Sequence, residues 1–258
     1  MTEPILQIRN LEKRFGGLTA VSNVSYDVAE GKVTGLIGPN GAGKTTSFNL
    51  ITGTYAPTSG QVIFQGKPIT GQPPHKVVAH GLARTFQSAT TFPAATVREN
   101  ILRGVLLRRN PGFVHALFNT RKARAMHDEA EQIAAQIMDT LELTPLADRA
   151  AGTLAYGYQK RLGVAIGLAA QPRLLLLDEP AAGLNAEEVD RLAEMLVRIR
   201  QEYDLTMLIV EHHMRLIMRL CDHIVVLEYG IKIAEGSPAE IRNNPDVIKA
   251  YLGAENVH

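Results

Sequence analysis

Between Gly38 and Thr46 the chain reads GPNGAGKTT, and no other stretch restricts its fold so tightly. The pattern is G-x-x-x-x-G-K-[ST]. It follows KVTGLIG, a short apolar run that predicts a strand, and it opens GKTTSFNLITG, which predicts a helix closed by Gly53. Glycines at 38, 41 and 43 let backbone N–H groups converge on phosphate oxygens with no Cβ in the way. The helix N-terminus adds its partial positive charge. Lys44 supplies a point charge for terminal phosphates, and Thr45 offers a hydroxyl to Mg²⁺. Pro39, Asn40, Ala42 and Thr46 complete the candidate nucleotide loop. Strand, phosphate loop and helix in that order demand an α/β core.

A second site stands far along the chain. RLLLLD is a continuous apolar run, as in a strand buried on both faces. It delivers Asp178 and Glu179 to the strand's C-terminal end, the edge at which open parallel sheets bind ligands. Asp178 is expected to hold Mg²⁺ through the ion's hydration shell. Glu179 is expected to polarise a water aimed at a terminal phosphate.

The remaining pattern fits the same plan. Residues 3–35 read as strands: PILQIRN alternates, FGG breaks, VSNVSYDV alternates again. QVIFQGKPI is a strand with a hairpin break at Gln65-Gly66. From about Val97 the character turns helical, and Met126, Ala130, Ile133, Ala134, Ile137, Met138 and Leu141 form one apolar helix face. After Gly152 strands and helices alternate. Asn185 is a candidate N-cap for a helix bearing Val189, Leu192, Met195, Leu196 and Ile199. LTMLIVE is a second buried strand, and DHIVVLEYGIKIAEG a hairpin turning at Tyr229-Gly230. SPAE at Ser237 opens the last helices with a capping box and a proline at the first helical position.

Composition excludes several classes. Lys+Arg 27 against Asp+Glu 26 gives a net charge of +1, with no basic excess for general nucleic-acid binding. The single cysteine, Cys221, forms no internal disulfide and is expected to be a small buried side chain. The N-terminal stretch lacks the apolar region of a signal peptide, and no run of about 18 apolar residues predicts a membrane span.

The order of these motifs resembles the ATP-binding subunit of an ABC transporter over nearly the whole chain. RTFQ ends in Gln87, where that family places a glutamine that touches Mg²⁺ and senses the membrane partner. IVEHHM supplies His212 as the switch histidine at the γ-phosphate, with His213 expected to point elsewhere. Phe15 in KRFGG stands where the family stacks an aromatic on adenine. LAYGYQKRL aligns with the family's L-S-G-G-Q signature, so Leu154, Ala155, Tyr156, Gly157, Tyr158 and Gln159 would grip ATP held by a facing protomer. Ala155 lacks the family's serine hydroxyl, and Tyr156 and Tyr158 are expected to pack against the partner. AAGLN resembles the D-loop, with Gly183, Leu184 and Asn185, the last in place of an aspartate.

The resemblance implies one ABC ATP-binding domain of the P-loop NTPase class. Residues 1–84 and 166–258 would form the core with an antiparallel β subdomain, and 85–165 a helical subdomain carrying the signature loop. ATP and Mg²⁺ are the implied cofactors. The implied partners are a second ATP-binding subunit, transmembrane permease subunits and, indirectly, a periplasmic or extracellular substrate-binding protein. The implied place is the cytoplasmic face of the plasma membrane.

The ending NNPDVIKAYLG, with LAYGYQ, DEPAAGLN and EHHM, is similar to the branched-chain amino acid importer branch. A lipopolysaccharide-export ATPase shares a broadly similar plan but keeps an unmodified signature. A phosphotransferase and a soluble non-transport ATPase are the alternatives from other classes. Arg108, Arg109, Arg121, Lys122 and Arg124 form a basic stretch that suits either solvent or anionic headgroups.

Overall fold

The computed structural model describes residues 3–85, 91–108 and 121–255. Gln87, Arg109 and the Asn110-Pro111-Gly112 break lie outside the described residues. Of Arg108, Arg121 and Lys122 only the backbone is described.

Two sheets share one layer of apolar side chains. The first is antiparallel, in the order β2 (Leu18–Ala29), β1 (Pro4–Phe15), β4 (Ser59–Phe64), β5 (Lys67–Pro68). The second has six strands. Its order is β10 (Ile231–Gly236), β9 (His223–Glu228), β3 (Val33–Ile37), β8 (Thr206–Val210), β7 (Leu174–Asp178), β6 (Leu82–Thr85). Strands β9, β3, β8, β7 and β6 run parallel, and β10 pairs antiparallel with β9. That antiparallel pair is the hairpin expected from the sequence. Tyr229 and Gly230 turn it with φ of 47° and 80°, the left-handed pair that a two-residue hairpin needs.

The period of two along each central strand sorts its side chains into two cores. Leu36, Leu174, Leu176, Leu208, Val210, Val225 and Leu227 meet the antiparallel sheet and the helix α1 (Lys44–Ile51), around Phe48 and Phe64. Val33, Ile37, Leu175, Leu177, Met207, Ile209, Ile224 and Val226 meet the helical layer on the other face. A strand buried on both sides has no polar face to show, which is why RLLLLD and LTMLIV read as unbroken apolar runs.

The helical layer includes α3 (Val97–Arg108), α4 (Arg121–Thr140), α5 (Tyr156–Ala169) and α6 (Ala186–Glu202), after the short α2 (Pro74–Ala79). Ala130, Ala134, Ile137, Met138 and Leu141 are buried on α4 and its end, as their spacing predicts. Asn185 caps α6: its side chain accepts from the Glu188 amide at 3.0 Å, and Glu188 accepts from the Asn185 amide at 2.9 Å. Ser237 makes the same reciprocal box at the start of α8 (Pro238–Arg242). The last helix, α9 (Pro245–Glu255), follows directly. Cys221 closes α7 (Met214–Leu220) over β3, and its Sγ lies 3.0 Å from where a Cβ on Gly35 would stand. Burial pushes its thiol up to about 12, helped by Asp222, so it is an inert small side chain at neutral pH.

Candidate nucleotide site

The phosphate loop fills the step between β3 and α1. Two of its glycines are obligatory by contact: a Cβ on Gly38 would stand 2.1 Å from the Leu227 carbonyl oxygen, and one on Gly43 2.6 Å from that of Ala20. The loop is thus wedged between the end of β9 and the start of β2. The Gly230 amide donates to the Ala42 carbonyl at 3.1 Å, tying the β9–β10 turn to it. Tyr251 on α9 reaches the same place. Burial pushes its phenol up to about 12, while the Gly38 backbone acts the other way. The Tyr251 hydroxyl is buried with no hydrogen-bond partner among the described residues and lies near the first loop glycine, a proximity that the ending NNPDVIKAYLG did not disclose.

Lys44 is 7% exposed. Its Nζ donates to the carbonyls of Gly38 at 2.7 Å and Pro39 at 2.9 Å, which holds the ammonium across the loop. Burial lowers its pKa, and the Glu179 carboxylate works against that shift. Asn40, Gly41, Thr45, Thr46 and Glu179 line one open cleft with Lys44, of about 430 Å³. That volume suits a nucleotide-sized molecule. Tyr229, 82% exposed, stands at the cleft's edge. Phe15 is 43% exposed and meets Tyr55 edge-on at 5.4 Å, so it belongs to the surface and not to the core.

Asp178 ends β7 and is buried. Its Oδ2 accepts from Arg84 Nη2 at 2.6 Å, and Arg84 Nη1 reaches Asn49 Oδ1 on α1 at 2.7 Å. Asp178 Oδ1 is buried with no hydrogen-bond partner among the described residues. A buried carboxylate oxygen left open in this way fits the hydration shell of a hard cation, and the Thr45 side chain lines the adjoining cleft. The sequence reading passed over Arg84 although it lies in RTFQ. The only signal was a charged residue inside the apolar strand GLART. Glu179 follows with φ of 46°, a left-handed turn off the strand end. Its amide donates to the Val210 carbonyl at 2.9 Å, and its own carbonyl accepts from Lys160 Nζ at 3.2 Å.

Beyond β8 the chain turns through Glu211, His212 and His213. Glu211 is fully buried. Its Oε1 accepts from the Ala181 amide at 2.7 Å, and its Oε2 from the amides of His212 at 2.9 Å and His213 at 3.1 Å. The His212 side chain is half exposed. His213 stands next to it. The two rings lie side by side, with centroids 4.6 Å apart, because both follow the same anchored turn. Glu211 and the two histidines bring ligand atoms within 4.8 Å of one another. The three amide bonds on Glu211 make that grouping an anchored turn.

The signature stretch lies apart from this cleft, and none of Leu154 to Gln159 lines it. Ala155 is the N-cap of α5 and makes no side-chain cap bond. The amides of Tyr158 and Gln159 donate to its carbonyl at 2.9 and 3.1 Å, and Gln159 Nε2 closes back on the Leu154 carbonyl at 2.9 Å. Tyr156 covers its own chain's turn: a Cβ on Gly183 would stand 2.8 Å from its ring. Tyr156 is 50% exposed, with the Gly183 turn and Lys160 against its ring. Tyr158 is 39% exposed beside Arg161.

Residues 21–182 match the family described as ABC transporter, and residues 232–256 match the one described as branched-chain amino acid ATP-binding cassette transporter. The chain is 47% identical, over 98% of its length and 99% of the relative's, to the high-affinity branched-chain amino acid transport ATP-binding protein BraF of Pseudomonas aeruginosa. It is 44% identical over the same shares to the corresponding protein LivG of Salmonella typhimurium. Among solved structures, the ADP conformation of an ATP-binding cassette of an ABC transporter superposes with a TM-score of 0.83 at 32% identity, covering 98% of this chain and 100% of that one. The wedged phosphate loop, the acidic strand end and the displaced signature stretch thus occur in a chain of matching length and fold. It belongs to the ABC transporter family of ATP-binding subunits, in the branch with the branched-chain amino acid cassette C-terminus.

Proposed function

We propose that this ATPase powers the import of branched-chain amino acids through a membrane permease. The observation that carries the reading is the one-sided cleft. Asn40–Thr46 and Glu179 line it, while Leu154–Gln159 of the same chain stand outside it. Two copies, or this chain and a paralogue, face each other head to tail, and each closes the other's cleft with its signature loop. The relatives' stated role in branched-chain amino acid transport supports the cargo. Among the described residues no helix is long and apolar enough to cross a membrane. In this reading the chain works from the cytoplasmic face, bound to permease subunits that receive cargo from a substrate-binding protein. No nucleic acid is involved. The division into a core, 1–84 and 166–258, and a helical subdomain, 85–165, belongs to the same reading.

In this mechanism the loop amides and Lys44 hold the β- and γ-phosphates, and Phe15 lies against the adenine. Thr45, Asp178 and Gln87 would hold Mg²⁺, which when bound offsets the negative charge of the phosphate oxygens. Glu179 accepts a proton from the attacking water and lines the cleft together with Lys44. His212 contacts the γ-phosphate. Gly183, Leu184 and Asn185 meet the facing protomer. Hydrolysis releases the paired chains, and Gln87 passes the change to the permease. The test is reconstitution in vesicles with permease and binding protein. ATP-dependent leucine uptake is expected, and uptake of an unrelated cargo instead would overturn the assignment.

A further inference from the structure

Glu211 is a fully buried carboxylate, and among the described residues no lysine or arginine pairs with it. His212 Nδ1 lies 3.8 Å from its Oε2. An acid in that setting is costly unless hydrogen bonds satisfy it. Three backbone N–H groups do so, and they come from two separate turns. Ala181 opens the turn that leads through Leu184 to Asn185, with the Leu184 amide on the Ala181 carbonyl at 3.1 Å. His212 and His213 form the turn after β8. The Glu179 amide on the Val210 carbonyl, at 2.9 Å, makes a second link one step earlier. The Glu179–Ala181 segment is therefore pinned to the end of β8 at both ends.

We propose that Glu211 is a positioning residue that locks the His212 turn to the Ala181–Asn185 turn, so that contact between Asn185 and a facing chain sets where His212 stands at the phosphate. This rests on the reading of His212 and Asn185 given above. Substrate does not touch Glu211; it acts through backbone placement. The turns move as one body because each ends on one oxygen of the same carboxylate.

The test compares wild type, Glu211→Gln and His212→Ala as full chains, in ATPase kinetics, in calorimetric ATP binding and in hydrogen exchange. Glu211→Gln keeps the size but places an NH₂ against N–H donors. It is expected to lower kcat about tenfold or more, with ATP affinity held within about twofold, since a bond to a charged group is lost away from the phosphate loop. Exchange is expected to rise in the peptides covering 180–185 and 211–214 together, and nowhere else. A wild-type kcat, or increased exchange in only one of the two peptides, would overturn the proposal. If His212→Ala hydrolyses ATP normally, the His212 reading fails and the proposal with it. A slow His212→Ala beside a normal Glu211→Gln overturns the proposal alone.

Discussion

The phosphate loop and the signature loop both open helices, yet they are built from opposite materials. The first is wedged between β9 and β2, its lysine nearly buried and bonded to its own loop carbonyls. The second displays two half-exposed tyrosines, and its capping position is an alanine with no side-chain bond to give. One loop is finished by its own chain. Neither helix start has a side-chain cap, but the second also stands exposed, as suits a surface completed by something outside the chain. The difference teaches that catalytic chemistry and control of assembly sit on different parts of this molecule and should fail separately.

The largest expected effect lies on the finished side. Glu179→Gln should lower hydrolysis by about 10²–10⁴-fold while ATP still binds and paired chains accumulate. Steady-state turnover and gel filtration with ATP check it, and normal turnover would remove Glu179 as the base. Next, Arg84→Met leaves Asp178 buried with no salt-bridge partner among the described residues and should cost about 3–5 kcal/mol of stability, read from urea denaturation. A cost below 1 kcal/mol would mean that the Asp178 pair does not hold the strand ends together. Lys44→Ala should weaken ATP binding roughly ten- to a hundredfold, the worth of one charge-assisted bond, in a calorimetric titration. The other side should respond less. Asn185→Ala removes the side-chain half of a capping box, leaving its backbone N–H on Glu188, and should cost about 1 kcal/mol. Ala155→Ser restores a hydroxyl at the displayed helix start and should tighten pairing only a few-fold. If it instead abolishes pairing, the contrast between the two loops is drawn in the wrong place.

Local chemistry was legible, and long-range pairing was not. The phosphate loop, the Asn185 and Ser237 caps, the Tyr229-Gly230 turn and the α4 face each depend on residues within about one or two turns of chain. What escaped are contacts between segments distant in sequence. Arg84 meets Asp178 across 94 positions, and Glu211 meets Ala181 across 30. Both charged residues adjoin apolar strands, where a sequence shows only an irregularity. The contact of Tyr156 with the Gly183 turn was equally hidden. Gly183, with φ of 78° and no side chain, makes the room on its own chain.

The backbone of Glu179 has a practical consequence for engineering. A φ of 46° is a conformation that glycine or asparagine enters with less penalty, so either substitution there could gain up to about 1 kcal/mol of thermal robustness. A library screened for heat resistance alone would drift toward such variants and collect well-folded, catalytically silent clones. Any such campaign on this chain should count phosphate released before it counts degrees gained.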